Sequence, residues 1–506
     1  MTDSSNAIAG KAQTLKALHD GRPAIVSKQI ISDLETPVSA FLKLCDKQPY
    51  AFLLESVEGG ENLGRYSIIG LKPDLIWQAS GGKAKINRNA LESFDQFEPD
   101  DKPVLDSFKS MLDESAIDLP ETMMPMGAGL FGYFGYDLVR EVEHLPNPAD
   151  RALPIADAIF SRPTLVVVFD NIRQEMTIAT PVRPAAGQSP EELWASAQSR
   201  LDGAIEKLQA PVPTDARRTS GSNCVKTPDT DKLDIQSNTT KDAYIEKVNR
   251  AKDYINAGDI FQVVLSQRFQ APFPKPAFEL YRSLRRENPS PFLYFLNFED
   301  HAIVGSSPEI LVRVRGGEIT VRPIAGTRPR GATPAEDKAL EADLLADPKE
   351  RAEHLMLLDL GRNDVGRAAT IGSVSVTESF VVERYSHVMH IVSNVVGNLA
   401  ETTSPVDAVM AGFPAGTVSG APKIRAMEII DELENENRHS YAGAIGYFSA
   451  GGDVDTAITL RTALVSEGVM HVQAGAGIVA DSDPQAEYQE CIHKSRALFS
   501  AAQKIL

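Results

Sequence analysis

Beyond residue 240 the apolar residues fall on one helical face: Tyr244, Val248, Ala251 and Ile255 repeat at spacings of three and four. Thr239 is the expected cap of this helix, Asp242 its N3 residue, and Gly258 its stop. Ile492, Leu498, Phe499 and Ile505 give a second stripe at the end of the chain. Runs rich in β-branched and aromatic residues predict strands at 51–55, 165–169, 261–269, 319–321, 386–396 and 457–465. Strands and helices alternate in both halves, which predicts a mixed α and β class. From about 205 to 239 the pattern lapses into Pro, Ser, Thr and charge, the composition of a linker. The expected order is a tail (1–25), an N-terminal region (26–200), a linker (201–239) and a C-terminal domain (240–506).

With 506 residues and 42% hydrophobic content, the chain has the material for a large core in roughly two to four structural units. Its net charge of −18 repels phosphate, so neither nucleic acid nor an anionic membrane is an expected partner. An acidic ligand must meet locally concentrated positive charge. The 3 cysteines, Cys45, Cys224 and Cys491, are far apart and form no C-x-x-C pattern, which argues against a disulfide framework or a zinc site. No export signal or membrane-spanning run stands out, and a soluble cytoplasmic protein is expected.

Two glutamate pairs then change the picture. Glu350/Glu353 and Glu487/Glu490 are each spaced one helical turn apart, just after Asp347-Pro348 and Asp483-Pro484, which read as N-cap and N1. Each pair shares a helix face. Carboxylates that converge repel unless a cation sits between them, and hard oxygen donors with room for water suit Mg²⁺. Arg461 falls in the expected strand 457–465, where Thr459, Arg461 and Ala463 share a face, and an arginine there can grip a carboxylate with two parallel bonds. Gly475–Ile478 ends another strand with bare backbone, and Ser419-Gly-Ala-Pro-Lys423 is expected to start a helix whose positive end faces an anion. His390 shares a strand face with Val388 and Val392, where an imidazole can shuttle protons. Glu309 follows a turn after a strand, a place where a desolvated carboxyl can stay protonated as a general acid. Tyr441 and Lys494 lie near these elements, Lys494 four residues after Glu490.

Seven ordered segments carry a resemblance: P-I-A-G-T-R (323–328), R-A-E-H-L-M-L-L-D-L-G-R-N-D (351–364), R-Y-S-H-V-M-H (384–390), G-F-P-A-G-T-V-S-G-A-P-K (412–423), L-R-T-A (460–463), G-A-G-I-V (475–479) and E-Y-Q-E (487–490). Together they resemble the chorismate-binding enzymes, and within them the anthranilate synthase component I branch. The likeness is dense over 240–500 and looser over 30–175, where L-L-E-S (53–56) and G-R-Y-S (64–67) match. Relatives that attack the ring with water carry a lysine where this chain has Gln262, and a glutamine is no base. Relatives that make aminodeoxychorismate carry a lysine where this chain has Ala325. With both absent, the resemblance implies ammonia as nucleophile and anthranilate as product. The alternatives are an aminodeoxychorismate synthase component I lacking its lysine, and a non-catalytic regulatory homologue.

The resemblance implies an αββα sandwich, an α+β fold of two facing sheets under outer helices, with an N-terminal regulatory portion. It also implies that Glu353 and Glu490 hold Mg²⁺ directly and Glu350 and Glu487 through water. Gly326, Thr327, Tyr441, Arg461, Gly475, Ala476, Gly477 and Lys494 would bind chorismate; His390, Glu309 and Thr417 would serve the chemistry. A glutamine amidotransferase small subunit would supply ammonia within a hetero-oligomer, which the resemblance implies is a heterotetramer. Tryptophan, the end product, would inhibit by binding Glu55 and Ser56 beside a strand edge, with Pro291, Phe292 and Leu293 against the indole.

Overall fold

The computed structural model describes residues 3–45, 47–58, 62–213, 233–385 and 388–506. Two long strands, Asn62–Ser80 and Ala158–Asp170, organise it. Every residue of Ala158–Asp170 is buried, the mark of a strand covered on both faces. The two strands pair with each other along most of their length, with a register shift between Pro73 and Leu75. On either side of that shift they belong to different sheets.

The first sheet runs antiparallel through Ala24–Ile31, Glu175–Val182, the two long strands, Ala51–Glu58, Phe292–Asn297, His301–Ser307, Thr462–Ser466, Val469–Ile478 and Gln262–Pro272. The second runs through Glu98–Asp100, Lys83–Asn87, the two long strands, Gly129–Phe134, Ala444–Ser449, Val454–Ile458, Ile310–Arg315, Glu318–Val321 and Val388–Asn398. Ile324–Pro329 and Ser375–Arg384 also pair with Val388–Asn398. Helices cover the sheets and share one large core with them, in which Phe108, Phe134, Phe160 and Phe448 pack ring against ring. The expected two-sheet sandwich is what forms.

Two further connections pass from one sheet to the other, and they fix the site. His301–Ser307 ends in the first sheet and Ile310–Arg315 begins in the second, so the chain turns at Pro308-Glu309. Val454–Ile458 and Thr462–Ser466 change sheets in the opposite sense, through Thr459-Leu460-Arg461. The continuous strand expected at 457–465 is therefore broken there. Arg461 takes a left-handed φ of 46°, which a side chain tolerates only when its surroundings hold it. The corners brace each other: Ile458 N–H donates to Glu309 O at 3.0 Å and Ser306 N–H to Arg461 O at 3.2 Å.

Other expectations shift in detail. The helix beyond residue 240 is Lys241–Ala257, capped by Thr240 rather than Thr239, with Gly258 as its left-handed stop. Thr239 instead bonds Asn238. Helix Pro190–Gln209 runs into the expected linker, Gln236–Ser237 pairs with Gln262–Pro272, and 214–232, with Cys224, lies outside the described residues. Ser386, expected to open a strand, also lies outside them; the strand starts at Val388. Among the described residues no helix is long and apolar enough to cross a membrane.

Candidate active site

Both glutamate pairs sit where the caps place them. Asp347 accepts the N–H groups of Lys349 and Glu350 at 2.9 and 3.3 Å and starts helix Pro348–Ala368; Asp483 accepts that of Ala486 at 2.8 Å and starts Pro484–Gln503. The first two turns of each helix bring Glu350, Glu353, Glu487 and Glu490 to one cavity of about 500 Å³. Burial, and then the negative charge of Glu350, hold the Glu353 carboxyl above its ordinary value. A cation between the helices would relieve both. The donors are all oxygens, which fits Mg²⁺, although among the described residues no three acidic, His or Cys side chains converge to hold an ion by themselves. Two carboxylates with water and a substrate oxygen is the arrangement this allows. Glu350 also accepts from Arg328 at 3.2 Å, and Lys494 pairs with Glu490 at 3.6 Å while donating to Gly475 O at 3.0 Å.

The sheet-changing corners supply the opposite wall. Glu309, only 8% exposed, has its carboxyl pushed up to about 8 by burial, against the milder pull of the Thr417 hydrogen bond and the Arg461 charge. Thr417 Oγ1 donates to Glu309 Oε2 at 3.2 Å. Arg461 lines the same cavity, close enough to Glu309 and Glu490 to feel their charge, and among the described residues its side chain makes no hydrogen bond or ion pair. A protonated acid and an unengaged cation thus face the glutamates.

His390 projects from Val388–Asn398, with Nδ1 3.0 Å from Gly326 O and 3.1 Å from Thr327 Oγ1. Burial holds its pKa below the usual histidine value. With Nδ1–H donated to the carbonyl, Nε2 keeps its lone pair. Gly326 sits at a bulge with φ +69°, and a Cβ there would come within 3.1 Å of Glu350 Oε2. Gly475 and Gly477 are glycines for a related reason: Cβ atoms would stand 2.7 Å from Tyr441 Oη and 2.6 Å from Gln262 Nε2. Ala476 between them is turned away into the core, so its side chain does not line the cavity. Gln262 and Ala325 do line it, Gln262 donating to Glu353 at 3.4 Å.

Two expected contributors stand elsewhere. Gly420–Ala421 pairs with Gln262 and Val263, the helix starts only at Lys423, and that lysine is bound to Asp364 at 2.8 Å, so its positive end does not reach the cavity. Glu55 lies on a strand flanked on both sides rather than at an edge. Its buried carboxylate accepts from Tyr281 and from Arg285 at 2.7 and 3.0 Å. Ser56 falls at the adjacent register shift, Pro291 and Phe292 are half-buried, and Leu293 is packed in the core.

The sequence reading missed Arg438. Fully buried, it clasps Glu434 at 2.6 and 2.9 Å, donates to Val264 O and Val418 O at 2.7 Å each, and lies over the Tyr441 ring. Val264, Val418 and Tyr441 all line the cavity. Removing one partner of such a buried pair costs about 3–5 kcal/mol. The i,i+4 spacing of Glu434 and Arg438 was visible, but the helix ends at Leu433, so helical pairing gave no reason to single them out.

A family model described as chorismate binding enzyme matches residues 51–500. The anthranilate synthase component 1 of Cereibacter sphaeroides is 53% identical over 483 residues, 96% of this chain and 95% of that protein. That of Pseudomonas aeruginosa is 47% identical over 503 residues, 97% and 98% of the two chains. The crystal structure of anthranilate synthase component I from Streptococcus pneumoniae superposes with a TM-score of 0.75 at 37% identity, covering 93% of this chain and 99% of that one. The menaquinone-specific isochorismate synthase of Escherichia coli, at 19% identity and a TM-score of 0.68 over 98% and 99% of the chains, shares the fold.

Proposed function

The chain belongs to the chorismate-binding enzymes, and from that premise we propose that it is the large subunit of an anthranilate synthase, adding ammonia to chorismate and eliminating pyruvate. The observation that supports this most is the Glu309 carboxyl, pushed up to about 8 across a cavity from four glutamates. Held by Glu353 and Glu490, and by Glu350 and Glu487 through water, Mg²⁺ would supply the positive charge that neutralises a chorismate carboxylate. Arg461 grips the other carboxylate, with Tyr441, Lys494, Thr327 and the Gly475–Gly477 backbone shaping the pocket around it. Glu309, protonated at neutral pH, gives its proton to the departing ring hydroxyl as ammonia adds. His390, neutral because burial lowers its pKa, takes the ring proton on Nε2 as pyruvate leaves.

Gln262 and Ala325 in the cavity favour this reading over its relatives. Neither side chain activates water or bonds covalently to the ring, so ammonia must arrive as the nucleophile. Cys491 is buried against Tyr244 with its thiol pushed up to about 11, and burial likewise raises Cys45, so neither suits glutaminase chemistry. A separate amidotransferase subunit would deliver the ammonia. Tryptophan would inhibit with its amino group at Glu55, held in place by Arg285, and Ser56, and with Pro291 and Phe292 against the indole.

One assay tests the core of this: the isolated chain with chorismate, Mg²⁺ and an ammonium salt, followed by anthranilate fluorescence. Anthranilate should appear with ammonium, and with glutamine only once the partner is added. Chorismate consumed to an aminated product without fluorescence would contradict the reading.

A further inference from the structure

Glu309 lines two cavities. Besides the chorismate pocket it borders a smaller one, of about 30 Å³, and among the described residues only Leu357 and Thr417 also belong to both. A water needs about 10–15 Å³ of such space and polar partners, so the smaller cavity has room for about two. Its partners are on the walls. Glu309 Oε2 accepts from Thr417 at 3.2 Å, while Oε1 takes no hydrogen bond among the described residues and is not sealed from water. Asp364 accepts from Lys423 through Oδ1 at 2.8 Å, and its Oδ2 is likewise unbonded and open. Half-buried Arg322, Leu360 and Ala415 carry the cavity toward the surface.

We propose that this cavity is the passage by which Glu309 is reprotonated, a short chain of waters running from its carboxylate past Asp364 to solvent. The inference rests on Glu309 as the acid of the proposed reaction. As the ring carbon–oxygen bond breaks, the proton of Glu309 goes to the departing hydroxyl, which leaves as water. The ammonium group formed on the ring releases one proton to solvent, and the passage returns one to Glu309, so the protons balance. Burial disfavours the bare carboxylate left behind, which takes up a proton as soon as water reaches it. While intermediate and products fill the chorismate pocket, the smaller cavity is the way in that stays open.

Gly361 offers the test. It lies on helix Pro348–Ala368 and lines the passage, and a Cβ there would make ordinary contact, at 3.6 and 3.8 Å, with Val321 and Pro323 of the same walls. Gly361→Ala therefore puts a methyl group into the waters' space without a clash. Gly366, exposed on the same helix with nothing within 4 Å of an added Cβ, makes Gly366→Ala the control for the gain in helix propensity.

With enzyme in excess over chorismate, Gly361→Ala should form anthranilate at the wild-type rate, because Glu309 starts protonated, whereas its steady-state kcat should fall about tenfold or more. Gly366→Ala should change neither. An unchanged kcat in Gly361→Ala, an equal loss in both of its rates, or the same loss in Gly366→Ala would overturn the passage. If Gly361→Ala does not fold, a high-resolution crystal structure of the full wild-type chain decides: an ordered water on Glu309 Oε1 in this cavity is expected, and a dry cavity would overturn it. A wild type that makes anthranilate, a slow Glu309→Gln and an unimpaired Gly361→Ala would remove the passage and leave the proposed reaction standing.

Discussion

Glu309 does at the residue scale what a solvated carboxylate cannot: it stays protonated at neutral pH. Its acid form prevails below about 8, so kcat/KM for chorismate, measured at a fixed concentration of free ammonia, should fall as pH rises through that value. Glu309→Gln should remove this basic limb and slow turnover by about 10²- to 10⁴-fold, read from the pH profile of anthranilate formation. A variant keeping the limb would assign it to another group. The burial of Glu309 was legible because a carboxyl in a turn right after an apolar strand is placed for it. Arg461 was legible as a residue of this cavity but not in conformation. Apolar and polar residues alternate through Thr459-Leu460-Arg461 with no glycine or proline to mark the break, and only the sheet change demands its positive φ.

Elements decide how well such residues are aimed. The Gly326 bulge turns a carbonyl to His390 Nδ1 while leaving space for Glu350. Gly326→Ala should cost about 1–2 kcal/mol in stability, because an L residue is strained at this φ. The strained backbone should also turn the residue-326 carbonyl away from His390, and since that bond draws the imidazole pKa upward, the acid limb of the pH profile should move to lower pH. Thermal unfolding and the pH profile together check this; an unmoved limb would show that the carbonyl does not govern His390. Helix starts were readable since Asp-Pro acts within a few residues, as both glutamate helices show. Thr239 and Thr240 are chemically equivalent caps, and only the packed register of the helix chooses between them. The start of helix Lys423–Leu433 was misplaced for the same reason: which face a short segment presents depends on distant strands.

In the whole molecule the expected division near residues 201–239 is not a division of the sheets. Ala51–Glu58 pairs with Phe292–Asn297, and Gly129–Phe134 with Ala444–Ser449, so N-terminal strands lie inside both sheets. Residues 240–506 expressed alone should therefore aggregate or unfold without cooperativity, exposing unpaired edges, whereas the full chain should melt in one transition. A soluble fragment with a cooperative melt would contradict this. Pairings across 200 or more residues leave no local mark, which is why the boundary was drawn from composition while the αββα class came through resemblance. The most direct test of the single-cavity account is a crystal structure of the Glu309→Gln variant soaked with Mg²⁺ and chorismate. The account predicts one ligand carboxylate on Arg461 and the other bridged through Mg²⁺ to Glu353 and Glu490. A ligand bound outside this cavity, or glutamates turned from the ion toward solvent, would contradict it.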